Sequence, residues 1–521
     1  MKKTLPLLLL LYFFVQCNTV SKQNTHYQTL IPAPKLQADV AFAYKQLQKL
    51  HPNLYLYSSK WTLDHQFDSL KNTITTPMTP LAFFKKISPV VAAVKQGHLF
   101  VQAPRIKYTK KQTKALLQKG IGPLSQFDFE YLDHKLYLLK NNSQDSTILV
   151  GSEVISINRT KPNELIDQYS NYYASDGFNT TFKTRGNGAR FTTFFTIENG
   201  IQDSLTYVLK YRDSLKTSTI KRFKKETKTT QNKKTNTPKK QTNHAQKAKK
   251  VRQKKRIQGY DPATAQYMRN IRFLEKDSSI AVLKIRGFKN KAYRRFYKET
   301  FEKIKQYQTK NLILDLRDNG GGRLSEISDL YAYLSDTTFV FLEPSEVVSR
   351  SQFFNGSYYN GGSFVLKILK TILSPAYYSY LLCTIHKKDN GKSYFATETK
   401  KRQANTNAFR GKVYVLINGL SFSASSILSS NLKGSKRAFF VGQETGGAYN
   451  GTVAGVMPTF KLPYSKLKIR TGLMHVVPFY KTSVVGHGIY PDHEILPTLQ
   501  DRIQHIDPEL NWILKDIKKA H

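Results

Sequence analysis

The chain has 521 residues, 40% of them hydrophobic, and carries 81 Lys and Arg against 36 Asp and Glu, a formal net charge of +45. That length exceeds one ordinary core and predicts two or three domains, while the apolar content excludes a wholly disordered chain. The charge favours anionic surroundings, whether nucleic acid, membrane or glycan, without choosing among them.

Residues 1–17, MKKTLPLLLLLYFFVQC, join Lys2-Lys3 to an apolar stretch from Leu5 to Val15 and read as a secretory signal. A cysteine directly after that stretch predicts a bacterial lipoprotein cleaved before Cys17 and acylated on it, although Gln16 is bulkier than the small residue usual before the cut. Cys383 would then be a lone thiol, with no intramolecular disulfide. Residues 18–34 are polar, hold Pro32 and Pro34, and suit a tether. The region 35–110 is mainly helical. Leu36, Val40, Ala43, Leu47 and Leu50 share one helical face, Pro52 follows as a stop, and Thr79-Pro80 opens a further helix that contains Pro89. It leads to Gln96-Gly97-His98 and the strand-like Leu99-Phe100-Val101.

Between 115 and 215 short alternating strands rich in Val, Ile and Tyr take over. Residues 216–258 form a basic linker. Over 216–256 there are 17 Lys and Arg against one acid, Glu226, a composition that predicts a disordered loop. Its basic residues lack the interleaved aromatics on which single strands stack, so no nucleic-acid partner is expected.

From 259 to 521 strands and helices alternate in βαβ order. Residues 280–285 and 312–316 read as strands, the second ending in Gly320-Gly321-Gly322, with helices at 294–307 and 324–334. The apolar segment 364–385 is interrupted by Lys367, Lys370 and Pro375, which argues against a clean membrane span and predicts a helical insert beside the cleft, with an interfacial surface segment as the alternative. Residues 413–417 form a second buried strand. It breaks at Asn418-Gly419 into Ser421, Ser423, Ala424, Ser425 and Ser426, then continues as a helix through Ile427, Leu428 and Leu432. A tight strand-to-helix turn can present a nucleophilic serine with backbone N–H groups facing an oxyanion; the same residues would also serve as plain helix caps. Three glycines at the carboxyl end of a neighbouring strand allow close backbone approach.

DLRDNGGG at 315–322, SFSASS at 421–426 and VGQETGG at 441–447 resemble the S41 serine peptidases, the C-terminal-processing and tricorn-core group. The resemblance implies an α/β fold with a crotonase-like βαβ catalytic core, an N-terminal helical region and an inserted PDZ-like β domain. GSEVISINRTKPNELI at 151–166, with its turn at Asn158-Arg159, resembles the core of such a domain, which binds peptides by strand addition. It implies peptide-bond hydrolysis with Ser423 as nucleophile and the N–H groups of Gly320 or Gly321 and of Ala424 as oxyanion hole. Ser426 stands where the family has Glu. Ala448 stands where processing peptidases carry the lysine of a Ser–Lys dyad. That leaves the tricorn-like Ser–His arrangement, with His98 as base and either Glu444 or Glu494 orienting its imidazole.

No cofactor and no metal is expected. HExxH is absent, His475 and His487 lack ligand partners at convincing spacing, and DLRDNGGGR lacks the Lys-Ser/Thr of a phosphate loop. The expected partners are a peptide or protein substrate and, through Cys17, a membrane of the bacterial cell envelope. Two other readings stay open: an inactive S41-like lipoprotein that binds peptides or apolar ligands, and a structural tether between outer membrane and cell wall.

Overall fold

The structure, a computed structural model, describes residues 20–224, 242–274, 278–289, 292–355 and 363–519. The expected signal segment and Cys17 lie outside the described residues, as do 225–241 of the basic stretch.

The chain begins its described course in α1 (Val20–Gln28), a helix where a tether was expected. Its polar side chains have distant partners that composition does not reveal. Asn24 exchanges two 2.9 Å hydrogen bonds with the backbone of Lys107, and His26 Nε2 meets Ser465 O at 3.1 Å. Then follow α2 (Ala33–Leu50), α3 (Lys60–Thr73) and α4 (Pro80–Ala92). Ser59 and Thr79 cap α3 and α4, each side chain accepting the N–H three residues on. The apolar face of α2 is buried as its spacing requires, and fully buried Asp39 joins it. The Asp39 carboxylate accepts the N–H groups of Tyr464 and Ser465 at 2.9 and 2.6 Å, tying the helices to the far end of the chain. After the 96–98 turn, β1 (Phe100–Gln102) completes that tie by pairing with a strand at 468–470.

Past α5 (Lys110–Gln118) comes an antiparallel sheet of five strands in sequence order: β2 (Phe127–Leu132), β3 (Lys135–Asn141), β4 (Glu153–Ile157), β5 (Ser204–Tyr211) and β6 (Ser214–Lys221). Between β4 and β5 lie α6 (Pro162–Ser170) and α7 (Thr181–Asn199). Asn158 and Arg159, both at positive φ, make the turn after β4. The disordered loop expected over 216–256 is corrected at both ends. All eight residues of β6 pair with β5, and Ile220 is buried. Residues Thr242–Gln258 form α8, rich in helix-favouring Lys, Arg, Gln and Ala, with Ile257 buried near its end.

After a short hairpin of β7 (Tyr260–Asp261) and β8 (Gln266–Tyr267), the chain builds a six-stranded sheet. Its strands lie in the order β14 (His493–Glu494), β13 (Phe439–Gly442), β12 (Lys412–Ile417), β11 (Asn311–Asp315), β10 (Ile280–Ile285) and β9 (Arg269–Leu274), so β14 and β9 are its edges. All neighbours are parallel except β9 on β10. Period-two alternation divides the core. Ala281, Leu283, Leu312, Leu314, Val413 and Val415 pack with α9 (Tyr293–Gln306), α10 (Leu324–Leu334) and α12 (Ala424–Gly434). Val282, Ile313, Tyr414 and Leu416 face the other way, onto Leu510, Ile513 and Ile517 of a C-terminal helix, Pro508–Lys519. Both faces are covered, which is why these strands read as continuous apolar runs.

The apolar segment 364–385 contains α11 (Phe364–Thr384), packed on residues 350–355 and 385–387. It does not border the cleft described below, contrary to expectation, and Val365, Ile368, Leu369 and Ile372 are exposed on it. No helix among the described residues is long and apolar enough to cross a membrane.

Candidate active site

β11 and β12 are neighbours, so their carboxyl ends bring the two glycine- and serine-rich turns side by side. Side chains then sew the turns together. Asn418 Nδ2 donates to Asp318 Oδ1, and Asn418 Oδ1 accepts Asp318 N–H, both at 3.0 Å. Ser421 Oγ donates to Leu316 O at 2.9 Å, and Phe422 N–H donates to Asn319 O at 3.0 Å. Ser423 is held in this frame at φ 59° and ψ −123°. A non-glycine residue there is strained, and the surrounding bonds must outweigh that strain. The Ser423 side chain caps nothing on α12, which disposes of the plain-cap alternative. Ser426 Oγ donates to Ser421 O at 3.0 Å, and Gly447 backbone is pressed against it.

His98 arrives from the N-terminal segment. Its Nε2 lies 3.1 Å from Ser423 Oγ and its Nδ1 3.1 Å from Thr452 Oγ1. Phe422 packs on the imidazole, with ring centroids 4.7 Å apart. The preceding residue must be glycine, because a Cβ on Gly97 would stand 2.6 Å from the Phe422 ring. His98 is only 8% exposed. Burial first, and the Arg470 guanidinium second, push its pKa down to about 3, so the ring is neutral near pH 7. With Nδ1–H donated to Thr452, Nε2 is the acceptor facing the serine hydroxyl.

Behind Thr452 sits Asp176, fully buried between α6 and α7. One carboxylate oxygen accepts Gly97 N–H at 2.8 Å, and the carboxylate also faces the Thr452 hydroxyl and Ala448 N–H. Burial raises its pKa to about 6 against the pull of these donors. Neither Thr452 nor Asp176 was picked out in the sequence. Each lies in an unremarkable stretch, far from His98 in the chain.

Both expected orienting carboxylates are corrected. Glu444 Oε1 accepts Gly488 N–H at 2.7 Å and stands 3.3 Å from His487 Nδ1, so it is engaged by the 487–488 loop and not by His98. Glu494 is exposed on the edge strand β14. His475 is likewise elsewhere, its Nδ1 2.8 Å from Asn53 Nδ2. Of the three backbone donors, Gly321 N–H is already given to Asn319 Oδ1 at 2.9 Å. Gly321, at φ +94°, instead lets the turns touch: a Cβ on it would lie 2.7 Å from Ser423 Cβ and 2.8 Å from Ala424 N. The N–H groups of Gly320 and Ala424 meet no acceptor among the described residues. Ala448, at the dyad-lysine position, is buried. No lysine is hydrogen-bonded to Ser423 among the described residues.

Ser423, His98 and Gly320–Gly322 open into a cleft of about 900 Å³, walled by aromatic rings that include Phe84, Phe100, Tyr172 and Phe182. Gln23 and Tyr27 of α1 form part of its rim. A strained serine touching a neutral imidazole, beside two unengaged N–H groups, is equipment for acyl transfer.

A parallel α/β core carrying a serine at such a turn defines a serine-type hydrolase. Residues 279–495 match the model of peptidase family S41. The matched segment holds Ser423 and Gly320, while His98 lies outside it. The chain is similar in fold to mature CPAF complexed with lactacystin (TM-score 0.58, 13% identity, 94% of this chain and 98% of that one). It is also similar to mature CPAF alone (TM-score 0.55, 14% identity, 92% and 96%). A putative peptidase from Parabacteroides merdae matches at TM-score 0.42 and 12% identity over 92% and 96%. No curated protein sequence matches the chain.

Proposed function

We propose that the chain is an endopeptidase or carboxyl-terminal-processing peptidase of exported proteins, anchored by an acylated Cys17 and working through Ser423 and His98. The observation that carries this reading is the 3.1 Å approach of His98 Nε2 to Ser423 Oγ. His98 takes the hydroxyl proton as Oγ attacks the scissile carbonyl, Gly320 and Ala424 N–H groups receive the oxyanion, and the imidazolium returns the proton to the leaving amine. Water then repeats the sequence on the acyl-enzyme. Thr452 holds the imidazole by its far nitrogen, and Asp176 holds Thr452. The β2–β6 sheet is proposed as the PDZ-like module, docking substrate by strand addition.

A fluorophosphonate probe should label the full chain on Ser423, with labelling abolished in Ser423→Ala. A wild-type chain that binds peptides but takes no label would instead be the inactive binding lipoprotein.

Two further outcomes test the support of His98. Thr452→Val keeps the shape and removes the acceptor. The lost buried hydrogen bond is worth about 1–3 kcal/mol, so kcat/KM should fall roughly 10- to 100-fold, and Thr452→Ser should restore most of it. The pH profile should also differ from that of an ordinary histidine base. Because the base must be neutral, a pKa pushed down to about 3 keeps His98 competent as pH falls below 6. The His98 limb should therefore lie well on the acid side of 6.5, rather than at the 6–7 of an unperturbed imidazole. An inflection near pH 6 belongs to Asp176 and should vanish in Asp176→Asn.

A further inference from the structure

Seven Arg and Lys side chains line the cleft, and no Asp or Glu does. None of the seven forms an ion pair among the described residues. The net charge of the chain does not explain this, because other sheltered arginines of the same fold are paired. Arg317 is bound by Asp315 and Asp507, Arg402 by Asp329, and Arg269 by Glu326.

Two of the cleft cations are held in place. Arg190, on α7, lies over the rings of Tyr173 and Phe182, 4.3 and 5.0 Å from their centroids. Its side chain folds across Gly186 one turn earlier, where any Cβ would collide with the guanidinium. Its Nη1 is buried with no hydrogen-bond acceptor. Phe182 in turn stacks on Phe422, with centroids 4.5 Å apart, next to Ser423. Arg470, on the strand Lys468–Arg470 that pairs with β1, is partly buried. It has only a ring contact with Phe100, 5.8 Å to the centroid, and Met457 Sδ at 3.2 Å. A thioether is a weak acceptor for a guanidinium. Aromatic faces orient such cations without satisfying their N–H groups. Two sheltered guanidinium groups short of acceptors, in the cleft that holds the serine, are arranged for an anion supplied from outside.

Resting on the serine-peptidase reading above, we propose that this cleft selects peptides with an Asp or Glu side chain close to the scissile bond, the carboxylate being taken by Arg190 or Arg470. The carboxylate does two things there. It satisfies buried donors, which favours binding. Where it reaches Arg470 it also offsets the positive charge that disfavours the imidazolium formed on His98 during attack, which favours the rate. Aromatic walls around the same cations suit an apolar neighbour beside the acidic residue.

The test uses the full chain and peptides identical but for one residue, Glu or Gln, each with an amidated and a free C-terminus. Binding is read by fluorescence anisotropy on Ser423→Ala, and hydrolysis on the wild type. The expected result is at least roughly tenfold tighter binding of the amidated Glu peptide than of its Gln twin, the worth of one charge-assisted contact. That preference should weaken with salt and collapse in Arg190→Gln or Arg470→Gln. Equal binding of the Glu and Gln peptides overturns the inference, as does a preference that survives both variants or one that follows only the free C-terminus. Loss of fluorophosphonate labelling would sink the peptidase reading separately, since the binding arm needs no turnover.

Discussion

Ser423→Ala should lower kcat/KM for peptide hydrolysis by about 10⁶-fold, His98→Ala should lower it nearly as far, and the double variant should be no worse than either. Nucleophile and base act as one unit, because the hydroxyl has no nucleophilic strength until its proton has somewhere to go. The geometry leaves no substitute for the base among the described residues. His475 is bound to Asn53, and His487 is bound to Glu444 and Tyr490. No single Lys→Ala change should reproduce the loss. Near-wild-type turnover in His98→Ala, measured with the same peptide that Ser423→Ala leaves intact, would remove His98 from the mechanism.

The largest stability effect is expected at a buried ion pair between β9 and α10. Arg269 on β9 and Glu326 on α10 are both fully buried, with Arg269 Nη2 2.6 Å and Nε 2.7 Å from Glu326 Oε1. Tyr297 donates to the same oxygen at 3.0 Å. Glu326→Ala leaves a guanidinium inside the core with its main counter-charge gone, and should cost about 3–5 kcal/mol. Guanidinium unfolding monitored on the core transition measures it. Replacing both partners together, Arg269→Met with Glu326→Leu, should cost far less, because the burial penalty leaves with the charges. A double variant as unstable as Glu326→Ala would show that the pair contributes more than it costs to bury.

The sheet and its two turns were legible because burial on both faces writes continuous apolar runs, and because close approach demands glycine and small residues at 320–322 and 418–426. Within those turns, Ser423, Gly320 and Ala424 were singled out by the resemblance, and so was His98. The support of His98 was not legible. Thr452 meets His98 across 354 residues of chain and Asp176 meets the neighbouring Gly97 across 79, and neither residue type announces such a role. Glu444 was chosen for its expected nearness to Ser423 in the fold and Glu494 for its place on the strand that closes the core, but the 487–488 loop captures one and the sheet edge exposes the other. Composition also misjudged α1 and β6. Both are polar, and both are ordered by backbone and side-chain partners that lie elsewhere in the chain. Arg190 and Arg470 carried no signal in a chain with 81 basic residues.

If Cys17 is acylated as proposed, the place of α1 sets the working distance of the enzyme. Gln23 and Tyr27 stand on the cleft rim, and α1 starts at Val20, three residues after Cys17. Three residues of extended chain reach at most about 11 Å. A lipid on Cys17 would therefore work as a short leash, holding the mouth of the cleft against the bilayer surface instead of letting it sweep the compartment. The segments within range would be those just emerging from the membrane or attached to it nearby, and geometry would select substrates before any side chain is read.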